Sequence, residues 1–132
     1  MGSAKRQASS LADGRKVLTV LDQERAPALT ERPVMDSEQA TGIAALFKVL
    51  ANDTRLRLLH VIARQGEVRV SDMAAQIGMT QQAVSNQLQR LVDQRIVAAR
   101  RDGNNIYYRI VNSCVPALLD LGWCLHETTN TD

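Results

Sequence analysis

Aromatic residues are scarce in this sequence. One phenylalanine, one tryptophan and two tyrosines make up 3% of its 132 residues. Sheet-based cores draw heavily on aromatic and β-branched side chains, so a β-sandwich is not expected. The hydrophobic residues, 45% of the chain, are mostly aliphatic, which favours packed helices. We therefore expect a mainly α fold, and the length suits a single domain.

Long apolar runs are absent as well. No run approaches the ~20 residues that span a bilayer. The N-terminal region has basic residues but lacks the apolar segment that a secretory signal requires. We therefore predict a cytoplasmic protein that has no contact with a membrane.

The motifs of common enzyme classes are also missing. The sequence has no glycine-rich phosphate loop, no two-histidine metal motif, and no Ser-His or Cys-His pairing at a spacing that would support catalysis. Asp53 and Arg55 fit a helix cap and its surface neighbour better than a catalytic pair. The sequence therefore predicts a protein that is not an enzyme.

Charge of one sign is in small excess, with a net charge of +2. This balance does not by itself indicate a nucleic-acid partner. Positive charge is concentrated locally, however, because residues 90–109 hold five arginines against two aspartates. These arginines are Arg90, Arg95, Arg100, Arg101 and Arg109. The cluster predicts a basic surface, for which random clustering on a solvated face is the alternative interpretation.

The chain divides into a tail and a domain. Residues 1–36 mix small, polar and charged residues with prolines, and predict an N-terminal tail that is flexible or partly helical, with at most one short helix over 15–25. Helical spacing of apolar residues then predicts a domain over 37–128, followed by a C-terminal tail over 129–132. The first two helices of the predicted domain flank Asn52, and its third helix ends at Gly78.

Residues 78–91 form the most informative segment. Val84, Leu88 and Leu91 fall on one helical face, and the opposite face is polar yet uncharged. Solvated helix faces usually carry Glu and Lys, whereas Asn and Gln amides pair with the base edges of DNA, adenine above all. This pattern predicts a DNA-reading helix, which Thr80 is placed to cap.

A hairpin is expected after this helix. Two β-prone runs, 96–99 and 106–111, flank the turn sequence Asp102-Gly103-Asn104-Asn105. Two helices joined by a short glycine-containing turn and followed by a hairpin make a winged helix-turn-helix. A last amphipathic helix, with Val115 and Leu118 on one face, completes a fold that is mainly α with a small β-hairpin.

The residues expected to contact DNA fall into two groups. Those that read bases or position the helix are Thr80, Gln81, Gln82, Ser85, Asn86 and Gln89. Those expected to contact phosphates are Arg90, Arg100, Arg101 and Arg109.

At this point the sequence resembles the ArsR/SmtB family of bacterial repressors over residues 40–127. The resemblance rests on Leu-Phe-Lys-Val-Leu-Ala-Asn-Asp-Thr-Arg-Leu-Arg-Leu-Leu at 46–59, on Gln-Ala-Val-Ser-Asn-Gln-Leu at 82–88, and on Gly103 followed by Ile-Tyr-Tyr at 106–108. It implies a homodimer paired through its first and last helices. It also implies a repressor that leaves its double-stranded DNA operator when a metal or another signal arrives. Two reading helices related by a dimer axis predict a palindromic operator.

The sequence departs from the metal-sensing members of that family. Many of them have Cys just before the third helix, where this chain has Arg69, which cannot bind a metal. Zinc-type members carry Asp, His, His and Glu on the last helix. The corresponding positions here are Asn112, Cys114, Leu125 and Thr128. Neither ligand set is present.

Cys114 and Cys124 are the only thiols. Ten positions on one helix correspond to about 15 Å of rise, too far for a disulfide or a shared metal within one chain. If the last helices pair antiparallel across a dimer axis, Cys114 of one chain approaches Cys124 of the other. Three interpretations stay open: a site for a thiophilic metal or arsenite, a redox-responsive disulfide between subunits, or packing residues of the helix interface.

The sequence thus predicts a sequence-specific DNA-binding repressor, released by a signal at the last helix. The thiols leave a redox-responsive repressor as one alternative. A winged-helix module that docks on another protein is a second alternative. It would leave the uncharged amide face of the helix within 78–91, and the arginines that follow it, without an evident use.

Overall fold

The computed structural model describes residues 27–130. The predicted short helix over 15–25 lies outside the described residues, as do most of the predicted N-terminal tail and the end of the C-terminal one. The described part of the first tail is exposed and contains one 3-10 turn, Leu29–Glu31. Residues 28–110 form one compact unit, and the described residues from 111 onwards belong to a second. The domain limits 1–36, 37–128 and 129–132 stay predictions.

Five α-helices and a small sheet make up the regular structure between residues 37 and 129. In chain order they are α1 Ser37–Leu50, α2 Asp53–Gln65, β1 Glu67–Arg69, α3 Val70–Ile77, α4 Gln81–Asp93, β2 Val97–Asp102, β3 Asn105–Ile110 and α5 Cys114–Thr129. No helix among the described residues is long and apolar enough to cross a membrane.

Side-chain caps define where the first two helices begin. Asp36 Oδ1 accepts from the Gln39 backbone N–H at 2.8 Å, and Gln39 Oε1 accepts from the Asp36 N–H at 3.0 Å. This reciprocal capping box starts α1. Asn52 Oδ1 accepts from the Arg55 N–H at 3.0 Å and starts α2. Only two residues separate α1 from α2, so the junction is tight.

The helix-turn-helix consists of α3 and α4. Gly78 ends α3 in the left-handed conformation with φ 73°, which a glycine adopts without the steric cost of a Cβ atom. Thr80 Oγ1 accepts from the Ala83 N–H at 3.1 Å, as the sequence predicts, and begins α4. Arg95 follows the end of that helix with φ 58°, while the Ile96 N–H donates to the Leu91 carbonyl at 2.9 Å.

The sheet has one strand more than the hairpin that the sequence predicts. Its order is β1-β3-β2 and all neighbours are antiparallel. Val68 of β1 pairs with Tyr108, while β2 and β3 pair from Val97↔Ile110 to Asp102↔Asn105 around the turn at Gly103. We call the β2–β3 hairpin, residues 97–110, the wing.

Aliphatic side chains fill the core of the 28–110 unit, and α4 packs against α2, α3 and β2. Every element from the end of α1 to β3 contributes. The most deeply buried core residues are Leu58, Leu59, Ile62, Met73, Val84, Leu88, Leu91, Ile96 and Val97. This core holds α4 so that its other face is open to solvent.

Candidate nucleic-acid interface

The two faces of α4 differ as the sequence predicts. Val84, Leu88 and Leu91 are fully buried on one side. On the other side Ser85 is half-buried, and the long amide side chains are exposed; these are Gln81, Gln82, Asn86 and Gln89. The helix therefore presents polar, uncharged groups outward from a buried apolar base. That these residues contact DNA stays a prediction.

Hydrogen bonds along the exposed face order the amides. Gln82 Nε2 donates to Asn86 Oδ1 at 3.0 Å, and Gln89 Nε2 donates to Asp93 Oδ1 at 2.8 Å. Both pairs are four residues apart, the spacing at which helix side chains meet. The Gln82 side-chain carbonyl and the Asn86 side-chain N–H groups stay available for other partners. Together they offer the acceptor and donors that an adenine edge requires.

Arg100 is held by contacts within the sheet. Its Nη2 and Nε donate to the two carboxylate oxygens of Glu67 at 2.8 and 3.1 Å, and its guanidinium lies 4.7 Å from the centre of the Tyr107 ring. Asp102 lies 3.9 Å from Nη1. The bidentate pair raises the pKa of Arg100 and lowers that of Glu67. Arg100 thus ties β2 to β1 across β3.

The other arginines predicted to contact phosphates are not held in this way. Arg101 and Arg100 are consecutive in β2 and point to opposite faces of the sheet. Arg101 shares its face with the buried Tyr108, whereas Arg109 shares the face of Arg100. Arg90 lies in the last turn of α4. Arg90, Arg101 and Arg109 are all exposed, and no ion pair joins any of them to a carboxylate in the described residues.

Glu67→Gln is expected to lower the melting temperature near neutral pH, by an amount that disappears in acid. The Glu67 pKa lies below its ordinary value of 4.5, chiefly because Arg100 donates to the ionised form. Such a carboxylate stabilises the folded chain above its unfolded pKa, and the contribution is lost as pH falls through the lower folded pKa. Thermal unfolding as a function of pH measures this difference. Glu38→Gln, an exposed change on α1, is the control, and a Glu67→Gln difference that persists in strong acid would contradict the assignment.

Arg55 is the site residue that the sequence interpretation misplaces. It is predicted as a surface neighbour of a helix cap, yet the residue is buried, at only 8% exposed. Arg55 Nε donates to the Val49 carbonyl at 2.6 Å, and Nη1 donates to Gln87 Oε1 at 2.7 Å. Gln87 belongs to α4, so this arginine contacts the helix that carries the amide face. The prediction was wrong because the local sequence pattern around Arg55 does not indicate a partner that lies 32 positions away along the chain.

The two cysteines lie on one continuous helix, α5. Cys114 is its first residue and is half-buried, while Cys124 is exposed. The Cys114 backbone N–H donates to Asn112 Oδ1 at 3.0 Å, so Asn112 caps this end of the helix. No cluster of three or more His, Cys, Asp or Glu side chains within residues 27–130 is arranged to hold a metal.

Comparisons of sequence place these features among transcriptional regulators. A family model described as the MarR family matches residues 52–105. The transcriptional repressor SmtB homolog of Synechocystis sp. is 44% identical over 82 residues, which are 62% of this chain and 61% of that protein, less than two thirds of its length. The HTH-type transcriptional regulator NmtR of Mycobacterium tuberculosis is 38% identical over 65% of this chain and 71% of that protein.

Solved structures agree with the sequences. The AntR antimony-specific transcriptional repressor superimposes with a TM-score of 0.71 and 56% identity, over 82% of this chain and 97% of that one. A homodimeric winged helix-turn-helix DNA-binding domain from Mycobacterium bovis gives a TM-score of 0.63 and 33% identity, over 76% and 94%. The predicted winged helix-turn-helix is confirmed, and the relatives named here, which are described as transcriptional regulators, confirm that the chain is not an enzyme. The chain belongs to the ArsR/SmtB family of winged helix-turn-helix transcriptional repressors.

Proposed function

We propose that this chain is a homodimeric repressor that reads a palindromic operator with α4 of each protomer in successive major grooves. The exposed amide face of α4 carries the proposal, because amide groups combine donors and acceptors in the pattern that base edges present. Paired helices of this kind read half-sites about one helical turn apart, roughly 34 Å. A protein that binds such an operator works in the cytoplasm.

Exposed apolar side chains support the dimer. Ile43 and Phe47 are exposed on α1, and α5 exposes three further large apolar groups. These are Leu121, Trp123 and Leu125. Apolar patches of this kind mark association surfaces in soluble proteins. The M. bovis neighbour is itself described as homodimeric. We assign α1 and α5 to the dimer interface.

The arginines near α4 and the wing differ in whether a carboxylate of the chain already binds them. We assign phosphate contacts to Arg90, Arg101 and Arg109, whose guanidinium groups are exposed. Arg100 receives the weaker assignment, because Glu67 already accepts two of its hydrogen bonds. Phosphate contacts set the register of the protein on DNA and make its affinity depend on salt. Base selection falls to the amide face of α4.

Gln82→Ala and Arg101→Ala are expected to weaken binding in different ways. Gln82→Ala should cost ~1–3 kcal/mol on the preferred operator and little on random DNA, because it removes a base contact. Arg101→Ala should weaken all sequences alike and reduce the slope of log affinity against log salt by about one, because it removes a phosphate contact. Salt titrations on both DNAs measure this.

Gln94→Ala is the matched control, since Gln94 is exposed at the end of α4, past the amide face. It should leave both binding curves in place. Equal losses on operator and random DNA for Gln82→Ala would reject the base-reading role. An unchanged salt slope for Arg101→Ala would reject the phosphate contact.

We infer that the releasing signal is a thiophilic ion held by Cys114 of one protomer and Cys124 of the other. Thiolates bind soft ions, arsenite among them, in preference to hard ones. The two thiols of one chain are separated by about 15 Å of helix and cannot share an ion. A structural relative is described as antimony-specific, so trivalent antimony is the first ion to test. Bound ions would act by favouring a dimer geometry that spaces the two α4 helices wrongly for DNA.

A further inference from the structure

We propose that Arg55 is a positioning residue that fixes the orientation of α4 against the end of α1 and makes operator selectivity depend on this link. The inference rests on the proposed function, since it concerns how the proposed reading helix is held. Arg55 would touch neither base nor phosphate. It would act through Gln87, its hydrogen-bond partner on α4.

The contacts of Arg55 join two elements through one rigid group. Nε donates to the Val49 carbonyl in the last turn of α1, and Nη1 donates to Gln87 Oε1 of α4. A guanidinium is planar and holds its donors in a fixed fork, so the two acceptors are placed relative to each other. Lysine has no comparable fork.

Stability alone gives a weak reason for this arrangement. Arg55 is a buried cation, and no carboxylate in the described part of the chain forms an ion pair with it. Burying a charge is costly, and apolar groups of similar volume often replace buried charged networks without loss of stability. The Val49 carbonyl and the Gln87 amide accept two hydrogen bonds from the guanidinium but do not neutralise its charge. Directional contact is what the arginine contributes.

The directional hydrogen bond from Arg55 to Gln87 matters because the fully buried side chains of α4 are apolar. Val84, Leu88 and Leu91 hold the helix against the core, but the hydrophobic effect that drives their burial is non-directional, unlike a hydrogen bond. Gln87 follows Asn86 by one position, which is about 100° of rotation around the helix. A hydrogen bond that fixes Gln87 therefore fixes where Asn86 and Gln82 point. A few degrees of rotation would displace the exposed amides relative to a base edge.

The other end of the link connects α4 to the proposed dimer interface. The Val49 carbonyl is in the last turn of α1, where carbonyls lack a partner within the helix. The helix dipole favours a cation at this end of α1. The Arg55 fork would therefore transmit to α4 any displacement of α1. This is a route by which a signal at the dimer interface reaches the amides that select the operator.

The test compares Arg55→Lys and Gln87→Ala with Arg57→Lys, an exposed arginine on the same helix. The probes are a duplex that the unchanged chain selects from a random pool, and a scrambled duplex of equal composition. Arg55→Lys keeps the charge, so we expect at least about a tenfold loss on the selected duplex, less than about twofold on the scrambled one, and an unchanged salt slope. Gln87→Ala should act in the same way, and the double variant should lose no more than either alone.

Hydrogen exchange on the full chain without DNA gives a second measurement. Arg55→Lys should raise exchange within 81–93 and leave 58–65 and 97–110 protected. Three results would each overturn the proposal. They are an Arg55→Lys chain that prefers the selected duplex as strongly as the unchanged chain does, affinity losses that add in the double variant, and unchanged hydrogen exchange in α4. Loss of protection throughout would show a merely structural role and overturn it too. A chain that selects no duplex would refute the operator-binding function, while the exchange measurement would still decide whether Arg55 holds α4.

Discussion

Cys114→Ser and Cys124→Ser should each abolish release from DNA by trivalent antimony. Each change removes one of two proposed thiolate ligands, and loss of a direct ligand should cost more than the roughly 10–100-fold that loss of an outer-shell partner costs. Binding to DNA without the ion should stay unchanged, because neither thiol lies in the unit that carries the amide face. Titrations of the protein–DNA complex with antimony, arsenite and zinc measure the response. Thr128→Ser, on the same helix, is the control and should respond as the unchanged chain does.

Mixed dimers show whether the ligands come from two chains. A dimer of one Cys114→Ser chain and one Cys124→Ser chain retains a single Cys114–Cys124 pair across the axis, and should bind one antimony ion. Each variant alone should bind none. If the mixed dimer binds none while the unchanged dimer responds, the shared site is wrong. A response that requires an oxidant and produces a disulfide between chains would establish the redox alternative. Indifference to every condition would leave both cysteines as packing residues.

Leu88→Ala should lower the free energy of unfolding by ~2–5 kcal/mol, the range for large-to-small changes at fully buried sites. Leu88 is 0% exposed, and its α4 packs against α2, α3 and β2. The loss combines the transfer energy of the deleted methyl groups with the cavity left behind. Urea denaturation followed by circular dichroism measures it. Protomer concentration must be held constant, because dimerisation contributes to apparent stability.

Leu29→Ala is the matched control for this measurement. The same atoms are removed from a side chain that is 78% exposed, so the change should stay within about 0.5 kcal/mol. The folded fraction of Leu88→Ala should keep its preference among DNA sequences, because the deleted group is on the face opposite the amides. A loss below about 1 kcal/mol for Leu88→Ala would mean that this face of α4 does not depend on its apolar contacts.

The parts of this fold that the sequence predicts are those set by local pattern. The alternation of apolar and amide positions in α4 is a property of consecutive turns, and burial follows it. Gly78 and Gly103 lie where a left-handed backbone is needed, and Thr80 caps the helix that it precedes. Each of these signals involves residues within one or two turns of each other. For that reason the amino-acid pattern alone predicts both the helix-turn-helix and the wing.

Features that depend on distant partners are not predictable in the same way. Arg55 meets Gln87, and Arg100 meets Glu67, at separations of 32 and 33 positions. Neither pairing leaves a periodic trace in the sequence. As a result the pattern predicts a surface position for Arg55 and does not distinguish Arg100 from Arg101. It does not predict the pairing of β1 with β3 either, because a three-residue strand carries too little pattern to indicate its neighbour.

The pleat of β2 also constrains how the wing can change in length during evolution. Inserting one residue before Arg100 would exchange the faces of Arg100 and Arg101. The Arg101 guanidinium would then lie on the face of Glu67, and the Arg100 guanidinium would lie on the opposite face. Inserting two residues would return both side chains to their faces, but two positions further along β3. An even insertion in β2 therefore preserves which face each side chain occupies, whereas an odd one requires a β-bulge to absorb the extra residue.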